Sequence, residues 1–244
     1  IDTVTSSGAT GGGVRIAVGT RSSVRGDVKV GNVRNISGVA GGTSGVQSGF
    51  ASGTDITAVG IVDDILVDGV YVKGINGNKA MLLNAAHGSL VARNIQPHPE
   101  STNGDIVNVG TAGSVTGSLS VEFRGSSAAA STRAVLVQGP VEELRVSGDL
   151  DFSSAANDDG AVVIPGNAGA YVKTLIFEGY RQTLGGSLFT KQLNSAAQAT
   201  DVYLSDSKIA GGKRAFFIVG SAANIRASNT AYAGLTVNFV RADN

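Results

Sequence analysis

The chain has no cysteine, no tryptophan, one methionine, two histidines and four prolines in 244 residues. Without cysteine there is no disulfide framework and no thiolate metal site, and the compartment stays open because a core of this size needs no disulfides. His87 and His98 have no cysteine partner for zinc, and no metal or cofactor is expected. An excess of charge of one sign is also missing: nineteen basic and nineteen acidic side chains cancel. That removes the attraction on which most nucleic-acid and anionic-membrane binders rely, so nucleic acid is not an expected partner. The longest apolar runs, such as Ala215-Phe-Phe-Ile-Val, are far shorter than the roughly 20 residues of a membrane helix, and no membrane insertion is expected. No segment keeps a 3.6-residue apolar period over three turns, because Gly, Ser, Thr, Asn and β-branched residues interrupt each candidate, so helices between strands are not expected. No Gly-x-Ser-x-Gly elbow is present, and the glycine runs at Gly11 and Gly41 lack the lysine and following helix of a phosphate cradle. A basic-then-apolar leader is absent from the opening Ile1-Asp-Thr-Val, which reads as a piece of a longer protein.

An apolar fraction of 42% with 16% charged residues marks a folded protein, and 35 glycines without a Gly-X-Y period read as punctuation between short strands. The segment Leu144-Arg-Val-Ser-Gly returns as Ile65-Leu-Val-Asp-Gly, Leu90-Val-Ala-Arg-Asn, Leu119-Ser-Val-Glu-Phe, Leu175-Ile-Phe-Glu-Gly, Val202-Tyr-Leu-Ser-Asp and Ile225-Arg-Ala-Ser-Asn. The steps are 25, 29, 25, 31, 27 and 23 residues, irregular enough for variable loops and regular enough for a solenoid. A second signal precedes each copy: Val14-Arg-Ile-Ala-Val, Ala80-Met-Leu-Leu, Asp105-Ile-Val-Asn-Val, Ala134-Val-Leu-Val, Ala161-Val-Val-Ile, Ser187-Leu-Phe-Thr and Ala215-Phe-Phe-Ile-Val. Two ladders in phase, without helices, predict a parallel β-helix of about eight coils forming a single domain over residues 1–244. The glycine-rich stretch from Asn35 to Gly53 lengthens one step and is read as an excursion.

Alternation places the first and third motif residues inward, from Ile65 and Val67 through Leu144 and Val146 to Ile225 and Ala227. The first strands are instead apolar at every position, as expected when both faces of a parallel sheet are covered. With no helix to cover them, and with Leu66, Val91 and Ile176 outward on the second strand, self-association is the expected cover, ahead of a long loop.

These repeats, in a glycine-, serine- and threonine-rich chain without cysteine, resemble the right-handed parallel β-helix proteins of the pectate-lyase-like class, and among them the trimeric tailspikes and tail fibres of bacteriophages. The resemblance implies a right-handed, all-β solenoid, side by side in a homotrimer, on a virion tail. It implies recognition of a bacterial surface polysaccharide or lipopolysaccharide. An active polysaccharide depolymerase, hydrolase or lyase, is the first alternative, and a secreted bacterial adhesin at a cell surface is the second.

For the fourth motif residue, a column roughly 4.8 Å per rung reads Asp68, Arg93, Glu122, Ser147, Glu178, Ser205, Ser228. Asp68 and Glu122 would be about 9.6 Å apart at the backbone, close to the roughly 6.5–9.5 Å between carboxyl groups in inverting glycoside hydrolysis, which makes them the candidate catalytic pair. The competing reading is a solvated charge ladder neutralised by Arg93. Asp63, Asp64 and Asp68 form a second acidic cluster, more in keeping with a solubilising turn. Asp149 and Asp151 share a face by alternation, and they and Asp158-Asp159 are read as turn formers. Arg93, Arg145, Tyr203 and Arg226 are the candidate glycan-binding residues, with Ser147, Ser205 and Ser228 beside them. Tyr71, Tyr180, Tyr203 and Tyr232 are the aromatic side chains expected to reach solvent.

Overall fold

A computed structural model describes the chain as strands from Thr3 onward, and describes side chains at 66–70, 79–97, 105–111, 113–126, 133–151, 160–167, 169–183, 186–192, 198–211, 214–219 and 223–234. It is an all-β parallel solenoid. One nine-stranded ladder stacks Val14–Val18, Val46–Phe50, Met81–Leu83, Gly104–Val109, Thr132–Val137, Gly160–Ile164, Ser187–Lys191, Arg214–Val219 and Val240–Ala242. These are the seven first signals of the repeat, with two additions, Val46–Phe50 and Val240–Ala242. Val46–Phe50 lies inside the stretch read as an excursion and is a full rung, pairing in parallel with Val14–Val18 and with Met81–Leu83. Gln47, Ser48 and Gly49 dilute its apolar character, which is why alternation missed it.

The second ladder holds the motif. Ile65–Val72, Leu90–Pro97, Ser114–Ser127, Pro140–Phe152 and Tyr171–Thr183 are long strands, followed by the pair Thr200–Ser205 and Lys208–Ala210 and the pair Ala223–Ser228 and Ala231–Ala233. Register follows the repeat: Ile65, Leu90, Leu119, Leu144, Leu175, Val202 and Ile225 are successive partners. The described residues build about five turns, where eight were expected. The rungs outside that count fall largely beyond the described side chains.

The longest strands bend, and Tyr171–Thr183 does so twice. In Tyr171–Thr183 the buried residues are Val172, Leu175, Phe177, Tyr180 and Gln182, so alternation slips at Lys173-Thr174 and again at Glu178-Gly179. The second bend carries a left-handed backbone: Gly69, Asn94, Gly148, Gly179, Asp206 and Asn229 have φ between 44° and 87°. Glycine has no Cβ to clash there, and Asn and Asp tolerate the conformation best among other residues. This is the physical content of the fifth motif position. Gly148 is doubly constrained, since a Cβ on it would stand 2.2 Å from the Phe123 carbonyl oxygen. Where the motif has Phe123 instead, Gly125 supplies the positive φ two residues later.

Inward side chains form continuous stacks. Leu90, Leu119, Leu144, Leu175 and Val202 are fully buried, as are Ala92, Val121, Val146, Phe177 and Leu204 within 2%. Each Leu, Val or Phe among them contributes on the order of 1.5–3 kcal/mol through removal from water. Two expected core residues differ: Ile225 is 39% exposed and Ala227 is exposed. They point inward by register but sit on the last rung of their ladder among the described residues. Tyr180 also departs from expectation and is fully buried. A register shift between Val146 and Gly148 sets Tyr180 opposite Gly148, so the ring turns in against Phe177, at 5.5 Å between centroids.

The first ladder is buried on both surfaces, as its unbroken apolarity predicts. Its outward row, Asn108, Leu136, Val163 and Thr190, is 4%, 3%, 2% and 0% exposed in the single chain. The cover therefore comes from this chain itself, which removes the apolar argument for a neighbouring subunit. Arg214 supplies part of it, with its guanidinium 4.1 Å above the Phe217 ring. Charged groups in this ladder are held tightly: Arg133 donates to both carboxylate oxygens of Asp105 at 2.5 and 2.9 Å. Lys191 takes a position occupied by Ile164 and Ile218 on adjacent rungs and donates to the Gln198 carbonyl at 2.5 Å. Burial lowers its pKa.

His87 stands opposite Val115, in the row that continues through Val141 and Val172, and is 1% exposed. It is a core residue, and burial pushes its pKa down to about 4. Among the described residues, no helix is long and apolar enough to cross a membrane, and no three His, Cys, Asp or Glu side chains gather as a metal site.

Candidate functional site

The outward surface of the motif segment presents the predicted columns, with breaks. Asp68 and Arg93 are register partners and both are exposed. A bulge between Ala92 and Ile95 then interrupts the ladder, so Arg93 is not set opposite Glu122. Glu122 turns to its own strand, where its Oε1 accepts from Arg124 Nε at 3.1 Å and Nη2 at 3.0 Å. Arg124, not Arg93, is its counter-ion. A second slip separates Ser147 from Glu178, beyond which Glu178, Ser205 and Ser228 are in register. Asp63 and Asp64, His98, and the side chain of Tyr71 lie outside the described residues.

The second motif position is better ordered. Arg145, Ile176, Tyr203 and Arg226 form one row over four successive rungs. The structure thus brings Arg145, Tyr203 and Arg226 onto one line and leaves Arg93 in a different column. Arg145 donates to Glu143 at 2.7 Å, and that hydrogen bond raises its pKa. The Arg226 guanidinium lies 5.6 Å from the Tyr203 ring centre, a cation–π contact that uses one face of the aromatic ring. Nearby, Glu142 accepts from Lys173 at 3.0 Å and from the Tyr171 hydroxyl at 2.9 Å. The Lys173 bond, then the Tyr171 bond, hold the Glu142 carboxyl below the ordinary carboxylate range.

Beyond the left-handed bend lies the feature that alternation alone did not reveal. The segments 149–151, 181–183 and 208–210, the third segments of three successive rungs, frame a groove of about 340 Å³ lined by Asp149, Asp151, Arg181, Thr183, Lys208 and Ala210, with Gln182 between Arg181 and Thr183. Asp149, Arg181 and Lys208 are successive register partners, as are Asp151, Thr183 and Ala210. Asp149 and Asp151 do share a face, as expected, but inside the strand Pro140–Phe152 and not in a turn. Arg181 Nε approaches Asp149 Oδ1 at 3.9 Å, with both side chains about two-thirds exposed. Beneath the groove the Tyr180 hydroxyl donates to Gln182 Oε1 at 3.2 Å, while the Gln182 amide nitrogen has no partner. Burial, and then the Asp151 charge, push the Tyr180 phenol above its ordinary pKa, so it stays neutral.

Arg124 also belongs to this row, opposite Asp149. Extending the motif alignment past its fifth residue lines up Arg124, Asp149, Arg181 and Lys208, and that was the available signal. It is hard to see because the bulge at Gly179 shifts the offset by a residue.

With this geometry, comparison with known protein families, with characterised proteins and with solved structures found no match to the chain.

Proposed function

We propose that this β-solenoid is a polysaccharide-recognition domain of a phage tailspike or tail fibre, binding a bacterial surface glycan during host attachment. The observation that carries the reading is the groove across three rungs, walled by acids on one side and bases on the other. A glycan offers hydroxyls as both donors and acceptors, and such a wall meets both: carboxylates accept, while Arg181 and Lys208 donate. The row Arg145, Tyr203 and Arg226 extends the polar surface on the adjacent segment. Placement on a virion and assembly as a homotrimer belong to the same proposal and rest on the resemblance, since the apolar flank is covered within the chain. Recognition is favoured over cleavage. A carboxyl acting as general acid needs a water-poor setting, whereas Asp68, Asp149 and Asp151 are exposed and Glu122 is held by Arg124.

The test is a glycan array carrying capsular polysaccharides and lipopolysaccharides, probed with the intact chain. Binding that falls by about tenfold or more, roughly 1.4 kcal/mol, in a variant carrying both Arg181→Gln and Lys208→Gln supports the reading. Absence of binding to every surface glycan overturns it. Reducing-end release by the chain, lost on Asp68→Asn and Glu122→Gln, would transfer the function to the depolymerase alternative.

A further inference from the structure

The charges in the groove narrow the kind of glycan it reads. Three acids elsewhere on the lateral surface are satisfied at close range: Glu122 by Arg124 at 3.0 Å, Glu143 by Arg145 at 2.7 Å and Glu142 by Lys173 at 3.0 Å. In the groove the one acid–base approach, between Asp149 and Arg181, is 3.9 Å. Asp151 and Lys208 face the same open volume, and neither forms an ion pair with another described residue. The acidic end of the groove is on one rung, Arg181 is on the next and Lys208 is two rungs away, which at about 4.8 Å per rung sets Lys208 about 10 Å from the acids.

A polyanion would place charge against Asp149 and Asp151, and a polycation would place it against Arg181 and Lys208. Like charges brought together in this way disfavour both ligands. A neutral chain would meet the groove through hydroxyl hydrogen bonds alone and would leave the charges of Asp151 and Lys208 unanswered. We infer that the groove takes a zwitterionic glycan segment, with a free amino group over Asp149 and Asp151 and a carboxylate or phosphate over Arg181 and Lys208. Arg181 contributes a planar fork suited to an oxyanion, Lys208 a point charge. Past Lys208 the next rung carries Ala231 and Ala233 opposite Lys208 and Ala210, so in that rung no bulky side chain stands beside the basic end. The inference rests on reading the groove as a glycan site.

The experiment uses the intact chain and four size-matched oligosaccharides: a neutral dextran oligomer, an oligogalacturonate, a chitosan oligomer, and N-deacetylated hyaluronan, which alternates amine and carboxylate. Calorimetry at low salt is expected to show the last binding about tenfold or more tighter than the others. Asp151→Asn should weaken the zwitterion and strengthen oligogalacturonate. Lys208→Gln should weaken both of those and strengthen chitosan. Melting curves that match the parent establish that the variants are folded. Equal binding of dextran and the zwitterion, or uniform weakening of all ligands by both variants, overturns the charge reading while leaving glycan recognition standing. Failure to bind any of the four, together with a blank surface-glycan array, removes the recognition reading itself.

Discussion

The first ladder and the groove-bearing third segments obey the same stacking rule and have opposite tolerances. In the first ladder both surfaces are buried, so Leu136, Val163 and Thr190 on the outward row are as enclosed as Val135, Val162 and Phe189 on the inward one. In the third segment only Leu150, Gln182 and Ile209 are enclosed, and Asp149, Arg181 and Lys208 stand in water. Burial on two sides leaves no position free to carry chemistry. Burial on one side supports a charged row at little cost to the fold.

The contrast breaks most visibly at Phe189, which is fully buried between the register partners Val162 and Phe216. Phe189→Ala should cost about 3–5 kcal/mol of unfolding free energy, the usual price of a large cavity in a core. Urea denaturation measures it, and a cost below about 1 kcal/mol would mean the ladder is not packed as described. A pH titration of stability gives the next largest effect. His87 is neutral in the folded chain down to about pH 4, against an ordinary value of 6.5. The unfolded chain therefore takes up a proton first as pH falls. Stability from this residue is complete above about pH 6.5 and declines by about 1.4 kcal/mol per pH unit as pH falls towards 4. Below that it declines no further. His87→Val, matching Val115 and Val141 in the same row, should flatten that part of the curve, and an unchanged slope would place the proton uptake elsewhere. The smallest effect is expected in the groove, where Asp151→Asn and Lys208→Gln should each change stability by no more than about 0.5 kcal/mol. A larger loss from either would make the charged row a structural device.

Much of the fold is written in the repeat itself. Apolar alternation located the motif strands and their register, because one slipped residue would expose the stack from Leu90 to Val202. The bends were less legible. In Pro140–Phe152 the count stays in phase, and Asp149 and Asp151 share a face as expected, but nothing in their pattern tells a strand from a turn; in Tyr171–Thr183 the left-handed residue puts alternation out of phase and turns Tyr180 inward. The candidate site suffered for the same reason. Columns inferred before the bend, such as Arg145 with Tyr203 and Arg226, are in register. Asp68 with Glu122 is interrupted by a bulge that no residue in Val91-Ala-Arg-Asn announces. Cover of the first ladder was foreseen from its apolarity, but a pattern of apolar residues specifies only that something lies over them, and not whose atoms they are.

The left-handed bend has a mechanical meaning as well. The backbone passes through it without a connecting loop in the five long strands, while the joints elsewhere around each turn differ in length from rung to rung. The two lateral plates it joins thus behave as an angle bracket with no hinge. A ligand spanning both would meet attachment points already fixed in space, and would forfeit little freedom of the protein on arrival. Selectivity among ligands would then be set by what each one carries along its length, and hardly at all by how readily the protein can close around it.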